Sequence, residues 1–68
     1  MTPHERMEKL DENGDAYEVT ITTPTDTYLR APVMHHSERW ICTAQGSEAP
    51  EVWTNMEKVD RIVIHILP

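Results

Sequence analysis

The chain has 68 residues and one cysteine, with twelve acidic against six basic side chains and a net charge of −6. This length suits a single domain, one cysteine excludes an internal disulfide, and the negative charge argues against nucleic acid as a ligand. The sequence contains neither the apolar stretch of a signal peptide nor a run long enough to cross a bilayer, so we expect a cytoplasmic protein that does not enter a membrane.

The first predicted element is a short helix over residues 3–10. Residues 2–5 have the form of a capping box, with threonine at the N-cap and proline at the first helical position. Met7 and Leu10 give the helix one narrow apolar stripe, which is enough to dock it on a larger body. Residues 11–15 are rich in acidic residues, asparagine and glycine, and we expect them to stop the helix and form a turn.

From residue 16 onward the pattern changes to a period of two, which is typical of strands. Apolar and polar residues alternate over 16–22 and predict a strand with one buried face. A proline-containing turn then leads to a second strand over 27–34. Because Pro32 has no backbone N–H to donate, we expect a bulge or an edge position near the middle of this strand.

Two further strands are predicted at residues 39–44 and 51–54, with a hairpin loop at 45–50 between them. A one-turn connector leads into the final strand at 59–67. Three isoleucines recur there with a period of two, and we expect this face of the strand to pack on the core; they are Ile62, Ile64 and Ile66.

The opposite face of the final strand is only half polar, since it carries Arg61, Val63, His65 and Leu67. A face of this composition fits either a strand that is covered on both sides or a surface that meets a partner. Val63, His65 and Leu67 are therefore candidate partner-binding residues.

The two tryptophans allow two interpretations. Antiparallel pairing of the third and fourth strands places Trp40 and Trp53 on the same face. We expect them to supply part of the core that so small a domain needs. The alternative is that one tryptophan is exposed beside Arg39, Arg30 or His36 and anchors a partner, as tryptophan and arginine often do at interfaces. The alternation does not decide which face is buried.

One helix followed by five strands resembles the small β-barrels of the Sm-like and SH3-like type, and the closest local match is residues 55–64, NMEKVDRIVI. The resemblance implies a mainly β fold in which the helix precedes a five-stranded, strongly bent antiparallel sheet or small barrel at 16–67. It also implies that Val59 closes one end of the barrel and that Ile62 and Ile64 line its interior.

The RNA-contacting residues of Sm-like proteins are absent from the corresponding places. That family has aspartate and asparagine after strand two and an arginine-glycine pair between strands four and five, whereas this chain has MHHS at 34–37 and TNME at 54–57. An SH3-type groove needs clustered aromatic residues, and four aromatics leave little to build it from. The ring-forming habit of Sm-like proteins still implies self-association through edge strands.

The residues with catalytic or metal-binding chemistry show no matching pattern. His35 and His36 point to opposite faces of an extended chain, and their spacing to Cys42 is not that of a zinc site, so we expect no metal and no cofactor. Cys42, Ser37 and Ser47 are candidate nucleophiles, but nothing in their spacing brings them to a histidine base. We therefore expect no catalytic residue and a non-enzymatic protein.

Three functions remain open. The first is a binding module that acts through self-association or a protein partner. The second is an acidic inhibitor that occupies a basic nucleic-acid-binding surface of another protein, a strategy resembling that of small phage-encoded counter-defence proteins. The third is an oligomer that holds a small ligand such as a nucleotide, with Arg30, Arg39, Trp40 and His36 as candidate contacts.

Overall fold

The computed structural model describes residues 1–44 and 50–68. Within these residues the chain forms helix α1 (Pro3–Asn13) and strands β1 (Tyr17–Thr22), β2 (Thr27–His36), β3 (Trp40–Thr43), β4 (Val52–Asn55) and β5 (Arg61–Ile66), with a 3₁₀ turn at Met56–Lys58. The strands form one antiparallel sheet in the order β4-β3-β2-β1-β5. The predicted fold class, mainly β with an N-terminal helix and five antiparallel strands, is confirmed.

The sheet is open rather than closed into the alternative small barrel over residues 16–67. Among the described residues β4 and β5 are its two edges, and they are not hydrogen-bonded to each other. The strand bounds lie within two residues of those predicted. The hairpin loop predicted at 45–50 falls mostly on residues 45–49, which lie outside the described part of the chain.

Helix α1 begins as its capping box predicts but ends later. The hydroxyl of Thr2 accepts a hydrogen bond from the Glu5 backbone N–H at 3.2 Å. The predicted end at Leu10 was wrong, because no residue before Gly14 breaks the helix. Gly14 adopts a left-handed φ of 75° and its N–H bonds to the Asp11 carbonyl, which is how many helices terminate. Neither α1 nor the 3₁₀ turn of the described chain is long and apolar enough to cross a membrane.

The core lies between α1 and one face of the sheet. Met7, Val19, Ile21 and Ile41 are fully buried in one cluster. Partly buried side chains pack around this cluster from the sheet and the 3₁₀ turn, namely Tyr17, Tyr28, Val33, Met56, Val59, Ile62 and Ile64. Ile62 and Ile64 therefore pack on the core as expected, whereas Val59 packs against the core without closing a barrel end, because the sheet is open.

Ile66 departs from the prediction, since 51% of its surface is exposed. It lies on the same face as Ile62 and Ile64 but pairs with Tyr17 at the start of β1. Ile62 and Ile64 instead pair with Ile21 and Val19, which belong to the core cluster under α1. The end of β5 extends beyond this cluster.

Strand β2 is irregular on both sides of Pro32, as its proline predicts. Its pairing with β1 shifts between Val19 and Ile21, and its pairing with β3 shifts between Val33 and His35. These bulges bend the strand and increase its twist, so that β2 turns from one half of the sheet into the other.

Both tryptophans lie on the outer face of the sheet. Trp40 pairs with Asn55 and Trp53 pairs with Cys42, which places both rings on one face as predicted. The expectation that they fill the core was wrong, since 43% of Trp40 and 53% of Trp53 is exposed. The core side of β3 is occupied by the buried Ile41, so the rings are left on the side that α1 does not cover.

Candidate functional site

A groove of about 760 Å³ lies between the turn that joins β1 to β2, the start of β3, and the segment that leads from β4 through the 3₁₀ turn. Tyr28 from β2, Trp40 from β3 and Trp53 from β4 supply its aromatic surface. One wall is the β1–β2 turn at residues 23–26, and another is the segment 57–60 that includes the end of the 3₁₀ turn. We call this site the aromatic groove.

The β1–β2 turn is held by bonds between its first and last residues. The Thr23 backbone N–H donates to the Asp26 carbonyl at 2.9 Å, and the Asp26 N–H donates to the Thr23 hydroxyl at 3.0 Å. Pro24 restricts the backbone between them. The turn therefore presents the exposed Asp26 side chain at the groove in a defined position.

The opposite wall is also fixed by hydrogen bonds. The Asn55 side chain caps the 3₁₀ turn by accepting from the Glu57 N–H at 2.9 Å. The Asp60 N–H donates to the Thr22 carbonyl at 2.8 Å, which ties the start of β5 to the end of β1. Glu57 and Asp60 consequently lie in a segment whose two ends are held by hydrogen bonds.

The tryptophan side of the groove has its own supports. Ser37 holds the start of β3, because its hydroxyl accepts from the Trp40 N–H at 3.1 Å and its N–H donates to the Trp40 carbonyl at 2.8 Å. The Trp53 ring lies 5.7 Å from the His35 ring between centroids. Cys42 pairs with His35 on one side and with Trp53 on the other, so the three side chains share one face of the sheet.

The Cys42 thiol is covered and unreactive in character. Only 1% of the residue is exposed, and burial raises the pKa of its thiol, with a further contribution from the negative charge and hydrogen bond of Glu51. A raised pKa keeps the group protonated, whereas a nucleophilic cysteine needs a thiolate. Ser37 bonds to backbone, as described above, and Ser47 lies outside the described residues.

The edge of the groove carries three carboxylates and one ammonium group. Asp26, Glu57 and Asp60 are exposed, as is Lys58. None of these four side chains forms an ion pair with another described residue. The aromatic surface is therefore bordered by an excess of negative charge that has no counterion within the described chain.

Only some of the predicted partner-binding residues lie close together in the structure. Trp40 and Trp53 share the groove, while Arg39 is exposed beside Trp40 and does not line it. Val63 and His65 lie on the outer face of β5, where they pair with Thr20 and Glu18 of β1. Leu67 follows β5, half-buried, and its N–H donates to Ala16. These three residues do not line the groove.

His65 is instead part of a polar cluster with Arg30. The Arg30 guanidinium donates to His65 Nδ1 at 3.2 Å, so the ring hydrogen is on Nε2, which lies 2.8 Å from the Thr20 hydroxyl. Arg30 Nε also lies 3.4 Å from Glu18 Oε1. The backbone of Arg30 has a φ of 46° within the bulge, a conformation that is uncommon outside glycine.

The four candidate contacts for a small ligand are not brought together. Arg30 is held by His65 and Glu18, whereas His36 lies at the other end of β2 and bonds to Asp11 and His4. Of the four, only Trp40 lines the aromatic groove.

Neither Tyr28 nor the carboxylates at the edge of the groove were predicted from the sequence as parts of a site. Three of the chain's four aromatic side chains line one groove, although their small number had argued against such a site. Cross-strand pairing was a usable signal for the two tryptophans. Tyr28 carried no comparable signal, because its approach to them depends on how far the sheet bends.

Comparison with protein-family models, with curated protein sequences and with solved structures gives no match.

Proposed function

We propose that the protein is a non-enzymatic binding module whose aromatic groove receives an extended segment of a partner protein carrying an arginine or a lysine. The observation that carries this proposal is the exposure of Trp40 and Trp53 in one groove with Tyr28. Exposed tryptophans are costly for a small soluble domain to keep, and they are the residues that most often dominate binding energy at protein interfaces.

Charge selects the class of partner. Asp26, Glu57 and Asp60 outnumber Lys58 at the edge of the groove, and the whole chain has a net charge of −6. A guanidinium or ammonium group gains from these carboxylates and also from the negative faces of the aromatic rings. The same charge repels a phosphate backbone, so a basic protein segment is favoured over nucleic acid.

The order of the elements supports the proposed relationship to Sm-like and SH3-like domains. The element order is one helix followed by five strands, and the sheet order is β4-β3-β2-β1-β5 with a 3₁₀ turn between β4 and β5. We propose on this basis that the chain is an open variant of such a small β-barrel, in which the helix covers the core.

Selection from a random peptide library tests the proposed function. Phage-displayed 12-residue peptides are selected on the wild-type protein and then counter-selected on the W40A/W53A variant. We expect the retained peptides to be enriched in arginine or lysine beside apolar residues, with micromolar affinity. The L29A variant is the matched control, because Leu29 is an exposed apolar residue of β2 that does not line the groove.

The proposal fails if no peptide survives the counter-selection, if the surviving peptides are not enriched in arginine or lysine, or if L29A weakens their binding as much as the double variant does. Loss of two tryptophan contacts is expected to reduce affinity at least tenfold, since a well-packed tryptophan at an interface contributes on the order of 2 kcal/mol.

Self-association is a second candidate function that a separate observation favours. Within the described chain β4 and β5 are open edges of the sheet, and Ile66 on β5 is half exposed. Unpaired strand edges are ready templates for pairing with another chain. Light scattering over a dilution series is expected to show dimers or larger oligomers at high concentration, and a monomer at every concentration would contradict this candidate.

A further inference from the structure

Strand β4 is an edge of the sheet and also forms part of the aromatic groove. Among the described strands it is hydrogen-bonded only to β3, so its other side has no strand partner within the described chain. Three consecutive residues of β4 line the groove, namely Trp53, Thr54 and Asn55. The groove and the open edge therefore share one strand.

The groove runs along this open edge rather than over one face of the strand. Successive residues of a strand point to opposite faces of the sheet, so a cavity on one face would contact every second residue. Trp53 lies across from Cys42 on the outer face, whereas Thr54 lies across from the core residue Ile41. A cavity that contacts both follows the edge between the two faces, because β3 occupies the other side of β4.

The hydrogen bonds between β3 and β4 identify the backbone groups of β4 that point outward. The Met56 N–H donates to the Arg39 carbonyl at 2.8 Å, and this bond flanks the pair formed by Asn55 and its partner on β3. In an antiparallel ladder a pair flanked in this way is not itself hydrogen-bonded, and the two kinds of pair alternate. Trp53 and Asn55 therefore direct their backbone N–H groups to the open edge, whereas Thr54 directs its own to β3.

The edge beside the groove thus offers both donors and an acceptor. Trp53 offers its backbone N–H and carbonyl, and Asn55 offers its N–H. The Asn55 carbonyl begins the 3₁₀ turn instead, since this residue is the N-cap of that turn. The four residues of β4 extend over about 13 Å at roughly 3.3 Å per residue, which matches a short extended segment.

We infer that the basic segment of the partner binds as an added strand on β4, with backbone hydrogen bonds to Trp53 and Asn55; this inference rests on the proposed function. Addition of a strand to a sheet edge is a recurring mode of peptide recognition, in which backbone bonds give affinity and alternate side chains give specificity. Every second side chain of the segment then lies on the tryptophan face. The carboxylates of Asp26, Glu57 and Asp60 at the edge of the groove attract its cationic side chain.

Strand β5, the other open edge of the described sheet, is less suited to this partner. Its residues 61–66 do not line the aromatic groove, so a segment added there would not contact the tryptophans. The strand itself carries the cationic Arg61 and no carboxylate, and a positive charge repels a basic segment. Both the aromatic surface and the charge therefore favour β4.

Hydrogen exchange of the ¹⁵N-labelled intact protein tests this inference on the β4 edge itself. In the free protein we expect the amides of Trp53 and Asn55 to exchange faster than that of Thr54, which is bonded to β3. A library-selected peptide at saturation should slow exchange at Trp53 and Asn55 by about tenfold or more relative to Thr54. Thr54 is the internal control, because a ligand that stabilises the whole fold slows the exchange of all amides.

A backbone scan of the same peptide tests the partner's side of the contact. Synthetic versions each carry one N-methyl group in place of an amide hydrogen, at successive positions of the peptide. We expect affinity to fall by about tenfold or more at every second position, where the methyl group removes a donor and blocks pairing with β4. At the positions between, whose N–H groups point away from β4, affinity should change by less than about threefold.

The outcomes distinguish strand addition from binding in the groove as such. A tryptophan-dependent peptide that leaves Trp53 and Asn55 unprotected, or whose scan lacks a period of two, would overturn strand addition and leave the proposed function intact. Protection of Trp53 that grows with protein concentration in the absence of peptide would overturn it in favour of a second copy of this chain on β4. If the library yields no tryptophan-dependent peptide, the proposed function and this inference fail together.

Discussion

Trp53 lines the aromatic groove and also lies beside the buried cysteine. Its ring lies across from Cys42 and near the ring of His35, yet half of its surface remains exposed in the aromatic groove. Burial and the nearby charge of Glu51 raise the pKa of the Cys42 thiol. Because Trp53 and Cys42 are cross-strand partners on one face, we expect the ring to shield the cysteine from solvent.

Removal of the Trp53 ring should make Cys42 reactive. In wild type we expect slow reaction with a thiol-specific reagent at about pH 8, with the rate rising at a higher pH than for a free cysteine, because only the thiolate reacts. W53A should react at least about tenfold faster, since both the cover and part of the desolvation are lost. The measurement is the rate of absorbance change with a disulfide reagent.

W40A is the matched control for this comparison, because Trp40 lies on the same face but pairs with Asn55 rather than Cys42. Equal acceleration in W40A and W53A would show that general loosening of the sheet, rather than the cover from Trp53, exposes the thiol.

Among the elements, α1 has a start that could be predicted from nearby residues, whereas its end depends on contacts with distant strands. The capping box at residues 2–5 is readable because its side chains and backbone lie within four residues. Residues 11–13 have polar side chains that occur in turns, and they nevertheless continue the helix to Gly14. Asp11 forms hydrogen bonds with Tyr17 on β1 and His36 on β2. These bonds stabilise a further turn of the helix, and they cannot be predicted from the local sequence pattern.

The end of α1 should be sensitive to substitution of Gly14. Its φ of 75° is a conformation that an alanine adopts at a cost of about 1 kcal/mol, even though no atom lies within 4 Å of the position an added Cβ would take. We expect G14A to lower the free energy of unfolding by about that amount in urea titrations.

N13A is the control for G14A, because Asn13 is an exposed helical residue at the adjacent position. Alanine has a higher helix propensity than asparagine, so N13A should leave stability unchanged or slightly higher. A loss in N13A as large as that in G14A would locate the effect elsewhere than in the glycine backbone.

At the scale of the whole molecule, the order of elements and much of the core could be predicted from sequence. The period of two in 16–22 and 59–67 predicted the inner strand β1 and the edge strand β5, because each has one face toward the core and one face that is only partly covered. The same argument identified Ile62 and Ile64, whose cross-strand partners are buried. The prediction was wrong for Ile66, because periodicity indicates which face of the strand a residue lies on and not how far the core extends along that strand.

The groove and the contact between His4 and His36 could not be predicted, for a common physical reason. Tyr28 and the tryptophans meet through the bend of the sheet, and His4 and His36 are 32 residues apart in sequence. Neither arrangement has a local signature, because each depends on how separate elements pack. The face of β3 was likewise undecided until the position of α1 was known, since the helix covers Ile41 and leaves the tryptophans outside.

We propose that the aromatic groove recognises a cationic side chain. The most direct test is calorimetric titration of a library-selected arginine peptide and of the same peptide with citrulline in place of arginine. Wild type should prefer arginine by about tenfold. The variant D26N/E57Q/D60N should show a clearly smaller preference, because it lacks the carboxylates and keeps only the aromatic surface. Equal binding of the two peptides by wild type, or an undiminished preference in the neutralised variant, would contradict the claim.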